Sequence, residues 1–141
     1  HTGTNKETAA QKNAGTLEVE YVPQGTLAER IRAYGAGLGG VLTPTGLGTV
    51  IQEGKQIVNV DGKDYILEKP LKADIAFLRA NIVDEDGNMV FLGTTQNFNP
   101  LMAMAADYVV VEAEKLVKNG EIAPEQIHAS GIFVDGIYLE K

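Results

Sequence analysis

The alternation of apolar and polar positions divides the chain into short elements of two periods. Thr16–Val22, TLEVEYV, alternates apolar with polar residues, which predicts a strand with one buried face. Pro23 ends it. Leu27 and Ile31 then stand four apart, the spacing of one helix face, and Thr26 followed by Glu29 reads as the capping box that opens the helix. Gly35 is the expected left-handed residue that stops it. Gln56–Val60 and Tyr65–Leu67 return to period two around Asp61-Gly62, a hairpin-turn pair. Asp74–Val83 predicts a mostly buried strand, turned by Glu85–Asn88 into Met89–Leu92. Asn99 and Pro100 predict a helix over LMAMAAD, with Asn as N-cap and Pro at the first helical position. Tyr108–Val111 is apolar enough for a strand covered on both faces, as in a parallel sheet. Ala123-Pro124-Glu125 predicts a short helix and Ile132–Val134 a last strand. Residues 1–15 are polar and predict loop with one short helix.

Strands that alternate with short helices and hairpins predict an α/β fold. The expected architecture is one domain over residues 1–141: an open, mixed and mostly parallel sheet with flanking helices and a β-hairpin. No repeat, low-complexity tract or linker divides it. The first residue is His1 rather than Met, and HTGTNKET matches neither a signal peptide nor a tag. The expectation is a chain that begins inside its domain, incomplete at the N-terminus.

Composition removes whole function classes. The net charge is -7 and no Lys/Arg cluster offers a basic face, so no nucleic-acid partner is expected. No apolar run reaches the roughly 20 residues of a membrane-spanning helix, and no membrane partner is expected. Without cysteine there is no disulfide, thiolate metal site or cysteine nucleophile. His1 and His128 are too few for a histidine metal centre, so neither a metal nor a permanent cofactor is expected. Asp84, Asp86 and Asn88 lack the further glycine and distal glutamate of a calcium loop and read as a turn. Met102 and Met104 read as core, and His128 as a surface or capping histidine.

Sixteen glycines are many, and the densest run is GAGLGGVLTPTGLGT from Gly35. Gly35–Gly40 formally matches G-x-G-x-x-G, but it follows a helix and precedes a strand-like segment. A dinucleotide fingerprint needs the reverse order. Two readings stand: a bend that packs helix closely on sheet, or exposed backbone amides that bed a flat or anionic ligand. In the second, Gly35, Gly37, Gly39 and Thr45 are the candidate binding residues. Gln24, between Pro23 and Gly25 at the helix start, reads from the residues alone as a capping or solvent-facing side chain.

Five strings taken together resemble one family. LEVEYVPQGTLAERIRA, GAGLGGVLTPTGLGTVIQEGK, ADIAFLRANIVDEDGN, NFNPLMAMAA and IHASGIFVD are similar to the α subunit of family I coenzyme A transferases, in order and across nearly the whole chain. The resemblance implies ping-pong transfer of CoA between a short-chain acyl-CoA and a carboxylic acid of the acetate, butyrate or acetoacetate class. It implies a β subunit as partner, in a cytoplasmic hetero-oligomer, whose glutamate is the nucleophile and forms a glutamyl-CoA thioester. It implies that Gln24, the glutamine of the PQG motif, donates a hydrogen bond to the reacting thioester carbonyl. It makes CoA the ligand of the glycine loop. Glu53 in QEGK matches the α pattern and is read as structural. On this resemblance the chain is expected to lack the family's N-terminal third. Gln96 stands where many members have Arg, and Gly136 replaces an Arg common after GIFVD. The competing expectation is a non-catalytic piece with a structural or assembly role.

Overall fold

The computed structural model describes residues 4–140. The first helix, α1 (Lys6–Asn13), is capped by Asn5, whose side chain accepts from the Thr8 N–H at 3.0 Å. The strand expected over Thr16–Val22 is not formed: the segment lies outside both sheets. Its alternation is that of a strand, but no described strand lies beside it to accept its ladder.

Helix α2 (Gln24–Gly35) begins earlier than the expected capping box. Pro23, at φ -55, is the N-cap and makes no side-chain bond. Thr26 therefore sits inside the helix, 5% exposed, and Glu29 pairs with Arg32 at 2.7 Å instead of reaching back. The buried face is Thr26, Arg30 and Ala33, turned one position from the expected Leu27–Ile31 stripe. At the other end Gly37 (φ 68), not Gly35, takes the left-handed conformation. The Leu38 N–H reaches Ala33 O at 2.8 Å and the Gly37 N–H reaches Tyr34 O at 2.9 Å, which closes the helix as a Schellman motif.

Strands β1 (Val41–Thr43), β2 (Ile57–Val60) and β3 (Lys63–Glu68) form an antiparallel sheet in the order β1-β3-β2. The expected hairpin is present: Asp61 (φ 50) and Gly62 (φ 80) are its two turn residues, both left-handed as a type I′ turn requires.

The second sheet runs β5-β4-β6-β7, from β4 (Ala73–Asp84), β5 (Met89–Val90), β6 (Ala106–Val117) and β7 (Gly136–Leu139). β4, β6 and β7 are parallel and β5 is antiparallel to β4. The architecture is thus the expected open α/β one. One face carries the core: Ala76, Leu78 and Ala80 from β4, and Val109, Val111 and Ala113 from β6, pack with Met89, Phe91 and Ala103. The opposite face is open in this chain, where Phe77 is 73% and Tyr108 48% exposed. The expectation is a strand covered on both sides at Tyr108–Val111; among the described residues no element lies over the second face.

Three local expectations shift. Phe98 is the N-cap of α3 (Asn99–Met102), so Asn99 is the first helical residue and Pro100 the second. The Asn99 side chain bonds sideways instead, accepting from the Arg79 N–H at 3.2 Å and donating to Thr95 O at 2.9 Å. α3 ends after one turn because β6 begins at Ala106. Ile132–Val134 is not a strand: Gly131–Phe133 is a 3-10 turn, and the last strand is Gly136–Leu139.

Candidate functional site

The first turn of α2 has no side-chain cap. Leu27 is the first residue to bond back, to Pro23 O at 2.9 Å. The N–H groups of Gln24, Gly25 and Thr26 have no backbone acceptor among the described residues. Pro23 fixes the approach to this turn, and Gln24 follows it as the first helical residue. The Gln24 side chain is exposed and has no hydrogen-bonding partner among the described residues. It lines a hollow of about 540 Å³ whose wall also includes Tyr21, Val22, Leu27, Arg30 and Leu71. Gln24 is therefore neither a cap for α2 nor packed inside. A free amide above uncapped N–H groups is suited to a developing negative charge on oxygen.

The other candidate residues are spread along the helix. Thr45 is exposed and lines a second hollow, on a different side of the α2 start, with Gly25, Thr26, Glu29 and Thr43. Gly35 lies at the far end of α2, about 16 Å from Gln24 by helical rise. A Cβ on Gly35 would stand 2.5 Å from Met104 Cβ and 3.0 Å from its carbonyl oxygen, so this glycine lets two segments touch. Gly37 and Gly39 stay exposed beyond the helix end, with open space where a side chain would stand. Gln24 shares its hollow with none of the four.

Glu53 is exposed at the end of the Val50–Gln52 3-10 turn, as the C-cap. Asp84 is 3% exposed and accepts from the Asp86 N–H at 3.1 Å and the Asn88 N–H and Nδ2 at 2.8 Å each. That carboxylate closes the turn. No described cluster of His, Asp and Glu could hold a metal ion. His128 accepts from the Phe91 N–H at 3.0 Å through Nδ1 and stacks on the Phe91 ring, a capping arrangement. Met102 packs on the core beside Ala103. Gln96 donates to Phe91 O at 3.0 Å.

The amino-acid pattern alone did not bring out a charged group beside Gln24. Arg30 forms part of the same hollow, with its side chain 11% exposed, and bonds to Glu20. The available signal was an arginine on the same helical face as Thr26 and Ala33, four and three residues away.

A family model described as coenzyme A transferase matches residues 1–140. The chain belongs to the coenzyme A transferase family. It is 50% identical over 141 residues to the acetate CoA-transferase subunit alpha of Escherichia coli strain K12, covering all of this chain and 64% of that subunit. It is 51% identical over 138 residues to the acetoacetyl-CoA:acetate/butyrate CoA transferase alpha subunit of Clostridium acetobutylicum, covering 98% of this chain and 63% of that one. The chain thus spans somewhat under two thirds of both relatives. An acyl-CoA transferase of Escherichia coli O157:H7, solved as a thioester complex with CoA, shares the CoA-transferase fold at a TM-score of 0.83 and 23% identity, over 94% of this chain and 31% of that one.

Proposed function

We propose that this chain is part of the α-type subunit of a short-chain acyl CoA-transferase, and that Gln24 polarises the carbonyl under attack. The observation that carries the reading is the exposed Gln24 amide, without a hydrogen-bonding partner among the described residues, at the first residue of α2 and beside a hollow. The names of the two alpha-subunit relatives support a substrate of the acetate, butyrate or acetoacetate class.

The nucleophile in this reading is a glutamate of a β-type partner subunit, in a cytoplasmic hetero-oligomer. Its carboxylate attacks the acyl-CoA carbonyl and expels CoA thiolate, leaving an acyl-glutamyl anhydride. The thiolate returns to the glutamyl carbonyl, releasing the first acid as its carboxylate and leaving a glutamyl-CoA thioester. The second carboxylate reverses the sequence and leaves with CoA. Covalent catalysis divides one difficult exchange into easier displacements. At each displacement a carbonyl oxygen gains charge, and the Gln24 N–H donates to it. CoA itself is a substrate here, laid along the exposed Gly37–Gly39 loop and Thr45. Gly35 contributes by packing that loop's base onto Met104. The isolated chain is inactive in this scheme, since the attacking group lies on the partner.

The test is Gln24→Ala in the full-length subunit assembled with its partner. Loss of one such donor costs about 3 kcal/mol, or roughly a hundredfold in kcat. Wild-type turnover in that variant removes Gln24 from the chemistry. A second reading, an assembly piece with no catalytic role, draws on the open sheet face around Phe77. It predicts an assembled complex whose turnover ignores every substitution at Gln24, Gly37 and Thr45.

A further inference from the structure

Four charges lie end to end: Glu20 and Arg30 in the wall of the Gln24 hollow, and Glu68 and Lys55 outside it. Glu68 is 2% exposed and accepts from Lys55 Nζ at 2.6 Å, while its other oxygen lies 4.0 Å from Arg30 Nη1. Arg30 in turn reaches Glu20 Oε1 through Nη1 at 2.9 Å and Lys69 O through Nε at 2.9 Å. The proposed reaction uses none of these groups. Burying a guanidinium beside a carboxylate is a costly way to fill space, since apolar side chains of similar volume are often as stable or more so.

The geometry shows what the guanidinium achieves. Glu20 lies in the segment without regular structure that runs into Pro23 and Gln24. Lys69 lies in the link between β3 and β4. The Arg30 fork joins the two, Glu20 and Arg30 standing in the wall of the Gln24 hollow, and the Leu71 N–H returns to Arg30 O at 3.0 Å. Arg30 follows Gln24 by six residues on α2, about 9 Å along the axis. A planar fork fixes the angle between its two partners, which the point charge of a lysine does not. Glu68, paired with Lys55, places its second oxygen 4.0 Å from the fork.

We propose that Arg30 is a positioning residue for Gln24: through Glu20 and the Lys69 carbonyl it fixes the corner that carries the Gln24 amide. The idea rests on the proposed role of Gln24. An amide that must meet a developing charge loses much of its effect when displaced by a fraction of an ångström, so a loosened corner shows in turnover before it shows in binding.

The experiment uses the full-length subunit assembled with its partner. Glu20→Ala removes a side chain that is 60% exposed, and circular dichroism of the variant checks that the fold is kept. Its kcat falls about tenfold while KM for acetyl-CoA stays within about twofold. Arg30→Lys, which keeps the charge and loses the fork, falls in the same direction. The deciding variant is Glu20→Ala combined with Gln24→Ala. If Glu20 acts through Gln24, the double variant is no slower than Gln24→Ala alone. Losses that multiply, or wild-type kcat in Glu20→Ala, overturn the positioning role and leave the Gln24 mechanism standing. Wild-type kcat in Gln24→Ala overturns both.

Discussion

Gly35→Ala adds one methyl group where the last turn of α2 meets Met104, and the structure gives both signs of its effect. Alanine inside a helix is favoured over glycine by up to about 1 kcal/mol, from backbone entropy. Against this, the new Cβ lies 2.5 Å from Met104 Cβ and 3.0 Å from Met104 O. Unstrained carbon contacts lie at about 3.5–4.0 Å, so the two segments must part by roughly 1 Å. The opposing atoms are a Cβ and backbone, which cannot swing aside as a side-chain end can. Overpacking of this kind costs about 1–3 kcal/mol. The net expectation is a loss of about 1–2 kcal/mol, or a fall in Tm of roughly 3–8 °C. Gly25→Ala is the control: it lies in the same helix with nothing within 4 Å of the added Cβ, and should be neutral or slightly stabilising. Urea melts followed by circular dichroism measure both, with a constant m-value as the check on two-state behaviour. A Gly35→Ala chain as stable as the parent would refute the close-contact argument.

Two further outcomes follow from buried and paired charges. Asp84→Ala leaves the Asp86 and Asn88 N–H groups without their acceptor at a site that is 3% exposed, and should cost about 2–4 kcal/mol in the same melts. Asp84→Asn should recover part of this, because its carbonyl oxygen can still accept. Lys72 donates to Asp107, with Nζ and Oδ2 2.6 Å apart, and this hydrogen bond raises the ammonium above the ordinary lysine value. A raised value means that the contact contributes at lower pH and is lost as pH climbs through the Lys72 titration. Asp107→Asn should bring the midpoint back down in a Lys72 Nζ NMR titration, and an unmoved midpoint would separate the two residues.

The amino-acid order carried the elements whose signals are local. Asp61-Gly62 made a hairpin because both residues tolerate positive φ, and no distant contact was needed. The alternation over Asp74–Val83 placed Ala76, Leu78 and Ala80 on one side of a strand for the same local reason. Boundaries were less legible. Thr26 and Glu29 have the chemistry of a capping box, yet Pro23 starts the helix earlier, and Thr26 is needed on the buried face. Asn99 has the chemistry of an N-cap, yet its side chain is taken by Arg79 and Thr95 across the fold.

The sequence by itself determined an α/β fold, a two-residue hairpin, a glycine-rich bend and, through its long motif strings, the coenzyme A transferase family. These depend on backbone preferences and side-chain period, which act over a few residues. Only the tertiary structure decided that Gly35 is a contact point, that Gly37 turns the chain, and which face of the larger sheet packs against Phe91 and Ala103. It alone brought Lys55, Glu68, Arg30 and Glu20 together. Those pairings span ten to thirty-eight positions of sequence, and charges that far apart along a chain meet only after sheet and helix have been packed.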